Sequence, residues 1–393
     1  MTNQAQKQKS NSFFRSLLHP EKKIVARTRG GMDKRFLIIV VLLLAFGSIM
    51  VFSAGFVFAS KRLGDSFYFI KRQLIYAAIG VLIMILLANI DYALLKRYAL
   101  PIFIISYVLL LVVLIPGVGL TKNGATRWLQ VGPITIQPTE IAKFALILML
   151  STYISFFSER MRSIKFGILI PALITIVVCV AAILEHHMSG TIILFLIGAC
   201  MIFLSGADLR WLAAIGGAFA AGALGLILFT DYTKDRIDAW LHPESDLLGK
   251  GWQPYQSLLA IGSGGLFGVG LGNSYQKHLW LPEPQNDFIF AVVCEELGLI
   301  GAVALILLFF LLIRRGIIIA RRAPDTFSAM LCAGLTAKVG IQAILNIAVV
   351  TASIPTTGIA LPFFSYGGSA LIMQLAEMGI ILSISRYERQ REL

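Results

Sequence analysis

Charge is scarce in this sequence. Asp, Glu, Lys and Arg make up 14% of it, against roughly 25% in soluble domains, and that excludes an ordinary water-facing surface. Cysteine is scarce as well, and the four present (Cys179, Cys200, Cys294, Cys332) all stand inside apolar runs. They read as small core hydrophobes, which leaves no disulfide framework. The five histidines show no ligand spacing, so no metal site is expected from them. A cleavable leader is not expected either, because a long polar, basic stretch precedes the first apolar run and that run is long enough to span a bilayer. Internal repeats and low-complexity tracts are absent.

Apolar residues fill the space that charge leaves. They account for 57% of the chain, and the mean hydropathy is +0.81. Ten apolar runs have spanning length: 36–59, 74–90, 98–118, 141–157, 166–184, 190–205, 211–229, 288–313, 326–351 and 369–385. The fold class expected is all-α, a polytopic membrane protein of ten helices with a large loop, 230–287, between the seventh and the eighth. Residues 1–35 read as a disordered basic tail, 36–389 as the membrane domain and 390–393 as a short end.

The net charge of +13 does not point to nucleic acid, because the basic residues sit in short loops between apolar runs. Of the 34 Lys and Arg, 22 fall on the side of the termini and 10 on the other. The positive-inside rule then places both termini in the cytoplasm and the loop 230–287 outside.

The expected outer segments are rich in Asn, Gln, Trp, Pro, Gly and acids. In 119–143, Asn123-Gly124 and Gly132-Pro133 are turn signals, and Pro138 suits the first turn of a helix. Glu140 and Lys143 then share a helix face, as a structural ion pair or as a functional one. The Gly-rich stretch Gly262–Gly272 suits a phosphate cradle, a lid or a re-entrant turn, with the last two favoured. Asp287 opens an apolar helix, where a carboxylate acts either as a general base held ionised by the helix N-terminus or as an ordinary N-cap. Residue chemistry alone favours the cap. Glu295 and Glu296, two turns deeper, require interior partners, Lys338 being one candidate, and all three read as structural. The short polar break 184–191, with Glu185-His186-His187, suits a re-entrant bend that brings Glu185 and His187 near the outer surface or a simple interhelical turn, with the turn favoured. In 352–369, two prolines and three glycines preclude a lipid-facing helix, so this stretch is expected to be buried or to line a wet cavity. Gln342 and Asn346 precede it on one helix face.

These segments resemble the SEDS family (shape, elongation, division and sporulation) over most of 36–389. The resemblance rests on Asn123-Gly124-Ala125 with Arg127-Trp128 and Gln137-Pro138-Thr139-Glu140 with Lys143. It continues in Leu281-Pro282-Glu283 with Asn286-Asp287-Phe288 and Glu295-Glu296-Leu297-Gly298. It ends in Gln342 with Asn346, and Pro355-Thr356-Thr357-Gly358 with Leu361-Pro362-Phe363 and Ser365-Tyr366-Gly367-Gly368-Ser369. It implies a peptidoglycan glycosyltransferase that polymerises lipid II with inversion. Asp287 would be the catalytic base. Lys143, Arg127, Arg236 and Lys277 would be the cations for the pyrophosphate. Glu140, Glu283, Gln342, Asn346 and Ser365 would complete the substrate-binding set. No cofactor is evident, although a divalent cation such as Mg2+ is compatible with the substrate's pyrophosphate. The partners implied are lipid II, the nascent glycan strand, a class B penicillin-binding protein and division-complex membrane proteins; no nucleic acid is implied.

The segment from Gly251 to Pro284 looks more like the division and sporulation branch, FtsW and SpoVE, than the elongation branch. Glu185-His186-His187 departs from the Gln-Pro-Asp of many members. Two other classes remain to be weighed: a lipid II flippase, which needs a polar path across the whole bilayer, and a non-catalytic scaffold, in which Asp287 would be dispensable.

Overall fold

The computed structural model describes residues 30–387, apart from 123–124, 133, 209, 212, 215, 218–239, 241–248 and 250. Most of the expected seventh span, Arg236 and most of the basic tail therefore lie outside the described residues.

Apolar runs become helices because a backbone in lipid must satisfy its own hydrogen bonds. The helices are α1 (Lys34–Leu63), α2 (Tyr68–Asn89), α3 (Ala93–Val112), α4 (Pro138–Phe156), α5 (Ile170–Leu184) and α6 (Met188–Leu204). A short helix, α7 (Trp252–Ser263), precedes α8 (Ile289–Arg322), α9 (Thr326–Val350) and α10 (Gly368–Ile384). Among the described residues seven helices are long and apolar enough to cross a membrane, and α6 and α10 are shorter apolar ones. Exposed Leu82, Ile105, Leu173 and Phe310 cover the outside of the bundle, as side chains facing lipid do. The chain is a multi-pass membrane protein.

Small residues set the closest packing, as they do between membrane helices. Gly379 of α10 lies against the Met84 backbone of α2, and Gly198 of α6 against Thr175 of α5. Asp33 caps α1, accepting from the Phe36 backbone N–H, and pairs with Arg315 at 2.7 Å. Asp325 caps α9 in a reciprocal capping box with Ser328.

Two features depart from the sequence expectation. The stretch before α4 is a three-stranded antiparallel sheet, β1 (Gly119–Lys122), β2 (Ala125–Val131) and β3 (Ile134–Ile136). In sequence the Asn-Gly and Gly-Pro signals separate its strands, but the strands themselves were not foreseen. The eighth run is also not one continuous helix. At Gly298 the backbone takes φ 64 and ψ −165, a region open to glycine alone.

The Gly-rich stretch explains that break. Val269 and Gly270 donate backbone N–H groups to the carbonyls of Glu295 and Glu296, and Leu299 and Ile300 donate to Gly265 and Leu266. A loop thus supplies the partners that the helix loses, which is the condition for irregular backbone at membrane depth. Its glycines serve close backbone approach: a Cβ on Gly268 or Gly298 would strike the other segment's main chain. The phosphate-cradle reading of this stretch is therefore set aside in favour of a docked turn.

The acids beneath it are also reassigned. Glu296 pairs with Lys277 at 2.8 Å and accepts from Ser53 at 2.6 Å. Glu295 accepts from Ser274 Oγ at 2.5 Å and from the Tyr275 backbone N–H at 2.8 Å. Lys338 is not their partner, as it binds both carboxylate oxygens of Glu377 at 2.6 and 2.8 Å.

Candidate active site

Five connections and the helix ends beside them meet at one end of the bundle and enclose a cavity of about 510 Å³. The α1–α2 turn brings Tyr68 and Arg72, and the sheet brings Arg127 and Trp128. The start of α4 brings Gln137, Glu140 and Lys143, and the α5–α6 turn brings His187. Glu283, Asn286 and Asp287 come from the segment before α8, Gln342 from α9, and Gly358, Tyr366 and Gly367 from the α9–α10 connection.

Local structure aims these side chains. In the β1–β2 pair Leu120 faces Trp128 and Thr121 faces Thr126, so Arg127 is the extra residue of a bulge. Bulges re-aim the side chain they carry. The Arg127 guanidinium reaches the His186 carbonyl at 2.7 Å, tying the sheet to the α5–α6 turn. Pro138 starts α4 and places Glu140 and Lys143 one turn apart, joined at 2.7 Å.

Asp287 is held by its backbone. Tyr366 N–H donates to the Gln285 carbonyl at 2.9 Å, and Ser365 Oγ donates to that of Asn286 at 2.7 Å. Asn346 Nδ2 donates to that of Asp287 at 2.7 Å and to that of Ile359 at 2.6 Å. Three successive carbonyls are thus fixed by α9 and the α9–α10 connection. Gly358, at φ 66, passes so close that a Cβ there would lie 3.2 Å from the Asp287 carboxylate. Glu283, His186 and Phe363 also take positive φ, a strain that clusters at functional sites.

The Asp287 carboxylate does not cap α8. The cap position is Phe288, with no side-chain cap bond. Nor is the carboxylate held ionised by the helix end. Burial pushes its pKa up to about 6, the Glu283 charge adds to the rise, and Arg127 opposes it. An acid with a pKa near working pH can accept and return a proton, as a general base must.

The α5–α6 turn is a turn, as the short break suggested, but its side chains are buried. Burial raises the Glu185 carboxyl to about 8, opposed by Thr139 and Arg127. Burial likewise lowers His187 to about 3, assisted by Arg127 and Lys143. Both are neutral at pH 7. Thr139 Oγ1 lies 3.4 Å from Glu185 and 2.9 Å from His187 Nδ1. One arrangement satisfies both contacts: His187 donates from Nδ1 to Thr139, and Thr139 donates to Glu185. The aspartate's place in Gln-Pro-Asp is thus held by the buried His187, with the buried acid Glu185 two residues before it.

A family model described as cell cycle protein, FtsW/RodA/SpoVE, matches residues 34–390. The chain belongs to the FtsW/RodA/SpoVE family. It is 44% identical over 359 residues to stage V sporulation protein E of Bacillus subtilis, covering 91% of this chain and 98% of that one. It is 40% identical over 354 residues to a protein of Trichlorobacter lovleyi named probable peptidoglycan glycosyltransferase FtsW, covering 90% and 93%. Its fold resembles the crystal structure of RodA from Thermus thermophilus, with TM-score 0.68, 28% identity and coverage of 92% and 98%. It also resembles a chain of a peptidoglycan synthase complex described for polymerization and crosslinking, with TM-score 0.74, 29% identity and coverage of 90% and 98%.

On this FtsW/RodA/SpoVE framework the residues singled out from sequence separate into groups. Asp287, Lys143, Glu140, Arg127, Glu283 and Gln342 line one cavity. Asn346 and Ser365 stand behind it and hold the Asp287 segment. Lys277 is displaced from the expected set: it is buried against Glu296 and the Gly272 carbonyl, and latches the loop to α8. Arg72, His187 and Tyr366 also line the cavity; His187 and Tyr366 stood in segments noted from sequence, but none of the three was in the expected catalytic or substrate-binding set. Arg72 lies over the Tyr68 ring, 4.2 Å from its centroid. The signal for it was only an arginine on the outer side of the charge count. A larger groove, about 690 Å³, lies at the opposite end between α6, α8 and α9. It is mainly apolar, and its one acid, Asp325, is the α9 cap. Among the described residues the cavity's polar lining is thus confined to one end, whereas a flippase needs a polar path across the whole bilayer.

Proposed function

We propose that this protein is a peptidoglycan glycosyltransferase that polymerises lipid II at the outer face of the bacterial cytoplasmic membrane. The observation that carries the reading is the convergence of an Asp287 carboxyl near pKa 6 with Arg72, Arg127 and Lys143 on one cavity at one end of a membrane bundle.

The reaction needs a base at one point and positive charge at another. The acceptor sugar hydroxyl gives its proton to Asp287. Its oxygen then attacks the anomeric carbon of the lipid-linked strand from the face opposite the pyrophosphate. A new carbon–oxygen bond forms, the old one breaks with inversion, and the lipid pyrophosphate leaves with the electron pair. Arg127, Arg72 and Lys143 receive the charge that develops on it. Mg2+ carried by the pyrophosphate would find an oxygen ligand in Glu283, since Mg2+ is commonly shared between phosphate and one or two carboxylates.

A septal role with a class B penicillin-binding protein is proposed, supported by the FtsW relatives and by the likeness to a synthase complex. The 44% identity to a sporulation protein favours a sporulation paralogue with the same chemistry as the second reading. The test is polymerisation of purified lipid II by the purified protein, with and without its partner. Glycan strands are expected; no strands under either condition would overturn the reading.

A further inference from the structure

More buried charge lies under the cavity than the proposed reaction uses. Lys338 on α9 and Glu377 on α10 are fully buried and paired at 2.6 Å. Lys338 Nζ is also 4.0 Å from Glu140 Oε2, while Glu140 Oε1 holds Lys143 Nζ at 2.7 Å. One carboxylate thus stands between two lysines, with one oxygen toward each. Gln342, one turn beyond Lys338 on α9, lines the cavity beside Glu140.

The charges balance only in this arrangement. Two lysines face two carboxylates, and Lys143 is already neutralised by Glu140. An anion that draws Lys143 toward itself takes away the close partner of Glu140. A buried carboxylate left alone is strongly destabilised, so the anion would bind weakly unless another cation took over. Lys338 is the second cation beside Glu140, and the ammonium has donors to serve Glu377 and Glu140 together.

We propose that Lys338 is a positioning residue that takes over the Glu140 carboxylate when an anionic substrate group engages Lys143. The proposal rests on the reading of Lys143 as a pyrophosphate ligand. Glu377 holds the Lys338 ammonium in place within the core, with both carboxylate oxygens on it. The alternative is a pin, in which the Lys338–Glu377 pair only joins α9 to α10.

A neutral double substitution separates the two. Lys338→Met/Glu377→Gln removes both charges at similar volume, and replacing a whole buried pair by neutral groups is often tolerated. A pin predicts wild-type behaviour from this variant, whereas the handover predicts that Glu140 still lacks its second cation. The experiment measures binding of undecaprenyl pyrophosphate to purified protein and steady-state polymerisation of lipid II. The double variant should insert normally, keep kcat within a few-fold, and bind the lipid pyrophosphate roughly tenfold more weakly, with KM raised in step, as a loss of about 1.4 kcal/mol would give. Lys338→Arg should bind as wild type does. Lys338→Met/Glu377→Leu is a second neutral pair should the first misfold.

Equal binding by wild type and a folded neutral double variant overturns the handover, as does a wild type that binds no lipid pyrophosphate. A wild type that binds the lipid pyrophosphate but makes no glycan fails the polymerase reading instead, and the binding comparison still decides the handover.

Discussion

Asp287 shows what residue chemistry can and cannot give. An acid at the start of an apolar helix is the ordinary signature of a cap, and nothing in the local sequence says otherwise. The structure moves the cap position to Phe288 and leaves the carboxyl in the cavity, raised to about 6 by burial and by Glu283. A side chain's solvation is set by distant segments, here Gly358 and Arg127, so it was not legible from Asp287 and its neighbours. Asp287→Asn keeps the side chain's shape and removes the base. It should insert normally and lose about 100- to 10,000-fold in polymerisation rate, measured on lipid II; near-normal turnover would remove Asp287 from catalysis. The pH dependence follows from the raised value. The ionised form is the active one, so kcat/KM should be level above about pH 6 and fall about tenfold per unit below it. A folded-state pKa above the unfolded value means that this group contributes most to stability at low pH. That contribution is lost as pH rises through 6, so the active form is the less stable one. Lys143→Ala should abolish most activity while the protein still inserts, because the pyrophosphate loses a direct cation. Full activity in that variant would return the Glu140–Lys143 pair to a structural role.

At the scale of elements, the described spans were legible because spanning helices need length and apolarity, both of which are local properties. The sheet was not, although Asn-Gly, a pair that hairpins favour, stands in the sequence between its first two strands. Three short strands beside a bundle carry too little periodicity to outweigh the all-α composition. The break at Gly298 was hidden for a different reason: Leu297-Gly298-Leu299 lies well inside a run of spanning length, and the two acids just before it read as structural residues of one helix. The segment that satisfies its backbone groups, 265–270, lies far away in sequence. Gly298→Ala tests that account. The added methyl forces a left-handed φ of 64 on a residue with a Cβ and strikes the Gly268 backbone. Strain of this kind costs about 1–3 kcal/mol, so thermal unfolding in detergent should begin several degrees lower. Since the same docked loop leads through Lys277 to Asp287, polymerisation should fall as well. An unchanged melting temperature would show that the break relaxes without the loop.

For the whole molecule, the side on which the cavity lies decides whether outer-face chemistry is possible, and the distribution of charge predicts that side. Lys and Arg outnumber two to one on the termini's side, 22 against 10, and the positive-inside rule assigns that side to the cytoplasm. The structure adds a geometric condition. Tyr68, Arg127, His187, Asp287 and Tyr366 come from five separate connections, yet all line one cavity, so one topology must export or retain them together. Single cysteines placed in a cysteine-free background check this with a membrane-impermeant reagent. A cysteine in place of the exposed His278, close to the Asp287 segment, should be labelled on intact spheroplasts. A cysteine in place of the exposed Arg162, between α4 and α5, should be labelled only after permeabilisation. That pattern requires an odd number of crossings between the two positions, one more than α5 and α6 supply, which is the count the apolar run 211–229 predicts. The reverse pattern would put the cavity on the cytoplasmic side, where the growing glycan is absent, and would defeat the polymerase reading together with the topology.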